Sequence, residues 1–144
     1  MSLSNVYSVG LNNVGSYQVS GAPFVTGSLT APANTGTALK IEFPYVTRWI
    51  SIANSSSHHI RFGFSAAGTS GSNHFIVHED NHPTQNGPYE IKCTELYIMS
   101  NDGTAHSGVY VMAGLTNIPV ARINNLSGSG DVVGNNWSGS VGVG

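Results

Sequence analysis

Residues 38–46 read "ALKIEFPYV", and the spacing of apolar residues in this stretch decides the fold class. Leu39, Ile41 and Phe43 alternate with Lys40 and Glu42. A period of two places the apolar side chains on one face of a β-strand and the charged ones on the other. The sequence therefore predicts a strand that lays one face on a hydrophobic core.

The same alternation recurs along most of the chain. Residues 58–66, "HHIRFGFSA", repeat it, and no window shows a helical apolar stripe of ten or more residues. Asn, Gly, Ser and Pro separate the apolar segments at intervals typical of a β-sandwich. We therefore predict an all-β, antiparallel, jelly-roll-like sandwich, with a closed barrel as the second choice. Further strands are predicted at 5–9, 16–20, 23–29, 46–53, 74–78, 89–93, 95–100, 108–113 and 119–123.

One segment, "YEIKCTELYIM" at 89–99, breaks the alternation. If Ile91 and Cys93 point inward, the next inward position in a regular strand is Glu95. The apolar residues that follow occupy the alternate positions, which would point outward. Either a bulge lies near Thr94, or Tyr97 and Met99 are buried as well. The predicted core consists of Phe43, Trp49, Ile52, Ile60, Phe62, Phe64, Ile91, Leu96, Ile98 and Val111.

Charge is scarce in this chain. Only 8 % of its 144 residues are Asp, Glu, Lys or Arg, against a usual fraction of about 25 %. Because few charges remain to keep copies apart, the surface suits dense assembly. We predict a homo-oligomer, specifically a trimer.

The length suits a single domain, and the two ends differ from the middle. We predict a sandwich domain at 1–124, which includes an N-terminal arm at about 1–15, and a Gly/Ser/Asn-rich C-terminal arm at 125–144. The isolated C-terminal arm has too few apolar groups to offset its ordering entropy, so a disordered tail is one reading. The other reading is that both arms order against a neighbour. The predicted contact residues are Val6, Tyr7, Val9, Leu11 and Trp137.

The remaining composition argues against several classes of function. Five scattered basic residues and a net charge of −2 give no stripe for nucleic acid. The first residues lack the pattern of a secretion signal, and no apolar run is long enough to span a membrane. Cys93 is the single cysteine, and its place in an apolar segment indicates a structural thiol rather than a nucleophile.

Residues 74–82, "HFIVHEDNH", contain three histidines and two acids. On a helix their spacing would suit zinc, but the aromatic and β-branched residues between the first two favour a strand. His74 and His78 would then lie roughly 13 Å apart, too far to share an ion. What remains is a loop of His78, Glu79, Asp80 and His82, weak metal candidates that we interpret instead as a polar surface or a subunit contact.

Catalytic motifs are not evident. The sequence has no phosphate loop, nucleophile elbow or thiol pair. His58 and His59 are neighbours on a predicted strand and point to opposite faces, so they do not form a pair. A cupin holds its metal with an HxH pair, and without one Glu79 and His106 have no pair to complete. The sequence therefore predicts no enzyme and no cofactor.

Three segments together resemble a known class of protein: "FPYVTRWISIANSSSHHIRFGFSAAG", "YEIKCTELYIMSNDGTAHSGVYVMAGLTNI" and the Gly/Ser/Asn-rich end. They are similar in style to small β-sandwich virion proteins of tailed bacteriophages, of the capsid decoration or cement kind. The resemblance implies a protein without an active site, assembled in the host cytoplasm and located in the virion. It also implies homotrimers that clamp neighbouring major capsid subunits.

Two alternatives stay open. The first is a carbohydrate-binding jelly-roll module of a fibre or lectin-like adhesin, in which the loops "YIMSNDGTAH" and "GDVVGNNW" would grip a sugar. The second is a metal-dependent jelly-roll enzyme.

Overall fold

Two antiparallel sheets face each other in the computed structural model, which describes residues 21–79, 87–122 and 141–144. One sheet has the strand order β1-β7-β3 and the other β2-β6-β4-β5. The strands are β1 (Ala22–Ala31), β2 (Leu39–Glu42), β3 (Tyr45–Asn54), β4 (Ile60–Gly63), β5 (Phe75–Val77), β6 (Glu95–Ser100) and β7 (His106–Pro119). The predicted all-β antiparallel sandwich is confirmed.

The alternation read from the sequence fixes which side chains point inward. In β2, Ile41 is buried while Lys40 and Glu42 on the opposite face are exposed, as the period of two predicts. In β4, Ile60 and Phe62 are buried in the same core. Both sheets contribute to this single core, which consists of Ala31, Ile41, Phe43, Ile50, Ile52, Ile60, Phe62, Val77, Cys93, Leu96, Ile98, Val109, Val111, Ala113 and Leu115.

Most of the predicted core residues are buried, and three are only partly so. Phe64 and Ile91 pack against the core from its rim. Trp49 lies opposite Gly114 of β7 on the outer face of its sheet, where it lines a shallow pocket of about 280 Å³. The prediction that Trp49 belongs to the core is wrong because β3 contains a register irregularity on either side of Thr47, which shifts the parity of the residues that follow.

The break in alternation near Thr94 marks a change of sheet. The backbone before it pairs with β3: Ile50 and Tyr89 exchange hydrogen bonds, and the Thr47 N–H donates to the Cys93 carbonyl at 2.9 Å. The backbone after it forms β6 of the opposite sheet. Cys93 and Leu96 can both be buried because they enter the core from different sides. Met99 is buried as well, so the second of the two readings holds for it.

Several boundaries differ from the predictions. Residues 89–93 form only an isolated bridge at Tyr89 instead of a strand. β7 is 14 residues long, and a 3-10 helix at Val120–Arg122 replaces the strand predicted at 119–123. A short helix, α1 (Ala66–Ser70), was not predicted; it starts at Ser65, whose hydroxyl accepts a hydrogen bond from the Gly68 N–H at 2.9 Å.

The ends of the chain are described only in part. Residues 1–20 and 123–140 lie outside the described residues, and with them the strands predicted at 5–9 and 16–20 and the proposed contact residues Val6, Tyr7, Val9, Leu11 and Trp137. The jelly-roll description and the two arms therefore stay predictions. Of the C-terminal segment, Val143 lies on the sandwich itself, where its carbonyl accepts a hydrogen bond from the Ser65 hydroxyl at 2.8 Å.

Candidate functional site

The loop that joins β3 to β4 contains His58 and His59, and local hydrogen bonds hold its backbone. Asn54 organises this loop: its amide donates to the His58 carbonyl at 2.7 Å, and its side-chain oxygen accepts from the Ser56 hydroxyl at 2.7 Å. The Ser56 hydroxyl also lies 2.9 Å from the His58 carbonyl. Asn and Ser favour such local side-chain to backbone bonds, so the sequence "NSSSHH" builds a turn instead of extending the strand. The His58 side chain is left on the surface.

The loop that joins β6 to β7 holds an acid, and β7 begins with a second histidine. Asp102 accepts hydrogen bonds on one carboxylate oxygen, Oδ1, from the Thr104 N–H at 2.8 Å and from the Ser100 hydroxyl at 3.1 Å. Nε2 of His106 lies 3.0 Å from each of the two carboxylate oxygens. An Asp followed by Gly is a typical turn sequence. Here the turn after Asp102 folds the chain back, so that His106, four residues later, contacts the carboxylate of Asp102.

These two loops lie side by side at one end of the sandwich. The Asn101 N–H donates to the His59 carbonyl at 3.1 Å, and the Ser55 N–H donates to the Gly108 carbonyl at 2.9 Å. The rings of His58 and His106 stack with 3.9 Å between their centroids and 6° between their planes. Within the described ranges, one ligand atom from each of His58, Asp102 and His106 lies within 4.8 Å of the other two. We call these three residues the HDH cluster.

The electrostatics of the HDH cluster favour an ionised carboxylate. The hydrogen bond from His106 and then the backbone N–H of Thr104 lower the pKa of Asp102 to about 2. The acid therefore carries its negative charge across the whole physiological range. His106 is the most protected member, with 13 % of its side chain exposed, whereas Asp102 retains 46 %.

The structure separates the residues that the sequence grouped at 74–82. The His78 ring packs edge-on against His59 with 5.0 Å between centroids, and the Glu79 N–H donates to Nδ1 of His59 at 3.2 Å. Asp80 and His82 lie outside the described residues. The strand predicted around His74–His78 is present as β5. That this loop is a polar surface or a subunit contact stays a prediction.

The sequence reasoning missed the HDH cluster. It correctly separated His58 from His59, since their rings contact different partners, His106 and His78. It considered His106 only as a ligand beside a cupin HxH pair, which the sequence lacks, and did not compare it with Asp102. Asp102 and His106 are four residues apart, a local signal in the sequence that could have been noticed. His58 comes from a loop 44 positions before Asp102, and only the pairing of strands brings it to them.

A second feature is the contrast between the outer faces of the two sheets. In β1, β3 and β7 the only Asp, Glu, Lys or Arg is Arg48. Val25 and Met112, partners in neighbouring strands, are 68 % and 45 % exposed, and Tyr110 lies beside them on β7. We call the surface of Pro23, Val25, Trp49, Tyr110 and Met112 the neutral face.

The opposite sheet carries the charges. Nζ of Lys40 lies 2.8 Å from carboxylate oxygens of both Glu42 and Glu95. The hydrogen bonds with these two acids raise the pKa of Lys40, so the side chain stays protonated. Arg61, on β4 of this sheet, donates to the Asn101 side chain at 2.9 Å. One outer face of the sandwich is thus charged and solvated, and the other is apolar.

The single cysteine is part of the core. Cys93 is fully buried, and its sulfur lies 3.3 Å from the Thr47 hydroxyl. Burial raises the pKa of this thiol to about 12, which keeps it protonated and unreactive. The prediction of a structural cysteine agrees with this environment.

Comparisons with protein-family models, curated proteins and solved structures gave no match. No helix in the described part of the chain is long and apolar enough to cross a membrane.

Proposed function

We propose that the protein is a non-enzymatic structural component of a bacteriophage virion that decorates or cements the capsid. In this role it binds neighbouring major capsid subunits and itself forms a homotrimer. The proposal rests on the resemblance of the sequence to such proteins and is supported by one structural observation, the contrast between the neutral face and the charged face.

The neutral face has the properties of a surface that becomes covered. Val25 and Met112 are large, apolar and well exposed, and they sit side by side on paired strands. Removing apolar area from water stabilises a contact by roughly 25 cal/mol per Å². Because Arg48 is the only Asp, Glu, Lys or Arg within the three strands, burying this face does not desolvate unpaired charges.

The charged face suits the outside of a particle. Lys40, Glu42 and Glu95 form ion pairs that are satisfied within the molecule. A surface of this kind stays hydrated and offers few groups for adhesion. We infer that the sandwich attaches through the neutral face and presents the charged face to solvent.

The first test is whether the chain belongs to particles at all. Intact virions of the virus that encodes it are purified by density gradient, and their proteins are quantified by mass spectrometry. The proposal expects the chain in a fixed ratio to the major capsid protein. Particles that lack it would overturn the proposal.

The second test addresses the neutral face. Purified protein is added to particles that lack it, and bound protein is measured by co-sedimentation. Replacing Val25→Lys and Met112→Lys places two charges where they would be buried, so binding should weaken by at least about tenfold. The matched control places the same charges on exposed positions of the loop between β1 and β2, as Thr35→Lys with Thr37→Lys, and should bind like wild type. Equal binding by both double variants would exclude the neutral face as the contact.

The carbohydrate-binding alternative receives no specific support from the described residues. Of its two candidate loops, the first contains Asp102, whose carboxylate already accepts hydrogen bonds from His106, Thr104 and Ser100. The second, at 130–137, lies outside the described residues. We therefore do not propose sugar binding.

A further inference from the structure

The HDH cluster has the donor set of a transition-metal site. Two imidazoles and one carboxylate are borderline ligands that suit Zn²⁺, whereas Mg²⁺ and Ca²⁺ prefer sites made of oxygen alone. We propose that His58, Asp102 and His106 bind one Zn²⁺ ion, with water in the fourth position. This site is independent of the decoration role, since it lies on the loops at one end of the sandwich rather than on the neutral face.

Nε2 of His106 and the carboxylate of Asp102 are already close to the separation that a shared ion requires. Ligand atoms on a tetrahedral zinc at about 2.1 Å from the metal lie roughly 3.4 Å from each other. Nε2 of His106 lies 3.0 Å from each carboxylate oxygen of Asp102. An ion that replaces the proton between them needs them to separate by only a few tenths of an ångström; Nε2 of His106 loses its proton to solvent and Nδ1 takes one up, so the bound ring stays neutral.

His58 is the ligand that must move. Its ring is parallel to that of His106, and the lone pairs of parallel rings do not converge on one point. Its ligand atom is nevertheless within 4.8 Å of the other two, and the ring is exposed. The proposal therefore requires the His58 ring to rotate about its side-chain bonds so that its nitrogen faces the ion.

The surrounding hydrogen bonds hold the ligands in the way that outer-shell groups do. On Asp102, Oδ1 accepts from Thr104 and Ser100, which fixes the plane of the carboxylate, and both of its oxygens lie 3.0 Å from Nε2 of His106. On His58, the Ser57 hydroxyl lies 3.1 Å from Nδ1. Hydrogen bonding of one ring nitrogen sets the tautomer and leaves the other for the metal, so we assign Nε2 of His58 to the ion.

The backbones of the two loops are also held together before any metal arrives. Hydrogen bonds from Asn101 to His59 and from Ser55 to Gly108 join them directly. Gly108 has φ of +98°, and a Cβ there would come within 2.6 Å of the Ser55 hydroxyl, so this close approach needs glycine. Folding has therefore already ordered the backbone on both sides of the site, so binding an ion costs little further backbone entropy.

The test uses full-length, untagged protein freed of metal by dialysis against chelator. Binding is measured by calorimetric titration with ZnCl₂ and, independently, by the visible absorption of Co²⁺ added in place of zinc. We expect one equivalent of either ion to bind and neither Mg²⁺ nor Ca²⁺ to give a signal.

Variants locate the site. His58→Gln removes an exposed ligand without touching the core, so the variant should fold, as checked by circular dichroism, while zinc affinity falls by at least about tenfold. His106→Gln should weaken zinc binding likewise. The matched controls are His74→Gln and His78→Gln, the same substitution on either side of β5, and both should bind zinc like wild type.

Three results would overturn the proposal. The first is wild-type protein that takes up no zinc at about 100 µM, a concentration that detects even weak sites. The second is zinc binding of unchanged affinity in His58→Gln and His106→Gln. The third is binding that His78→Gln abolishes, which would place the ion in the 74–82 segment instead.

Discussion

Replacing Phe62 by alanine is the sharpest test of the packing described above. Phe62 is 4 % exposed, and its ring lies 5.8 Å from those of Phe75 and Tyr89 and 6.3 Å from that of Phe64. The change removes roughly 120 Å² of apolar surface from the core, worth about 3 kcal/mol at 25 cal/mol per Å². Lost aromatic contacts and the remaining cavity add to this loss. The total free-energy cost should stay within the range of about 3–5 kcal/mol that is usual for a buried Phe→Ala change.

The position of Phe62 sets where in that range the value falls. A pocket of about 330 Å³, lined also by Phe75 and Gly142, borders the ring on one side. Neighbours and water can therefore fill part of the cavity, and we expect the lower end, about 3–4 kcal/mol. The assay is urea unfolding at equilibrium, with the slope checked for equality between variants.

Phe75→Ala is the matched control for this experiment. Phe75 is the direct register partner of Phe62 on the edge strand, but it is 58 % exposed. Its loss should cost only about 1 kcal/mol, because little of its surface leaves water on folding. A cost below about 1 kcal/mol for Phe62→Ala, or a greater cost for Phe75→Ala, would show that the parity of β4 is wrong.

Three further outcomes are expected. Burial raises the pKa of Cys93 from 9.0 to about 12, so the neutral thiol stabilises the fold fully below pH 9 and progressively less above it. The free energy of unfolding from urea titration should therefore fall more steeply between about pH 9 and about pH 11 for wild type than for Cys93→Ala, by at most about 1.4 kcal/mol per pH unit. Gly108→Ala should cost more than about 1 kcal/mol in the same assay, whereas Gly103→Ala, with nothing within 4 Å of the added methyl, should change stability by less than about 0.5 kcal/mol. Light scattering should give three times the 15.0 kDa chain mass, and a monomer mass that does not depend on concentration or salt would refute the trimer.

The fold class was predictable because burial in a sandwich leaves a local trace. Leu39, Ile41 and Phe43 alternate with charges, and this pattern alone assigns the inner face of β2. Trp49 escaped the same reasoning because an irregularity in β3 changes the parity, and no local residue type announces it. The short helix α1 is too brief to produce a helical period.

The candidate site was predictable only in its parts. Asp102 and His106 lie in one turn, and their proximity follows from the four-residue spacing of a tight connection. His58 reaches them only because β3 pairs with β7 and β4 with β6, which brings the two loops to the same end of the sandwich. Such a contact depends on the order of strands in the sheets, and strand order has no signature in a window of ten residues.

The passage of the chain from one sheet to the other at Thr94 has a consequence for how the protein folds. Residues 89–93 hydrogen-bond to β3, 39 to 46 positions earlier, and the Phe43 N–H donates to the Thr94 carbonyl 51 positions away. Both sheets also pair strands from before Thr94 with strands from after it, so loop-closure entropy must be overcome before most of the contacts form. We expect the chain to fold in milliseconds to seconds rather than microseconds, and both sheets to unfold in a single cooperative transition.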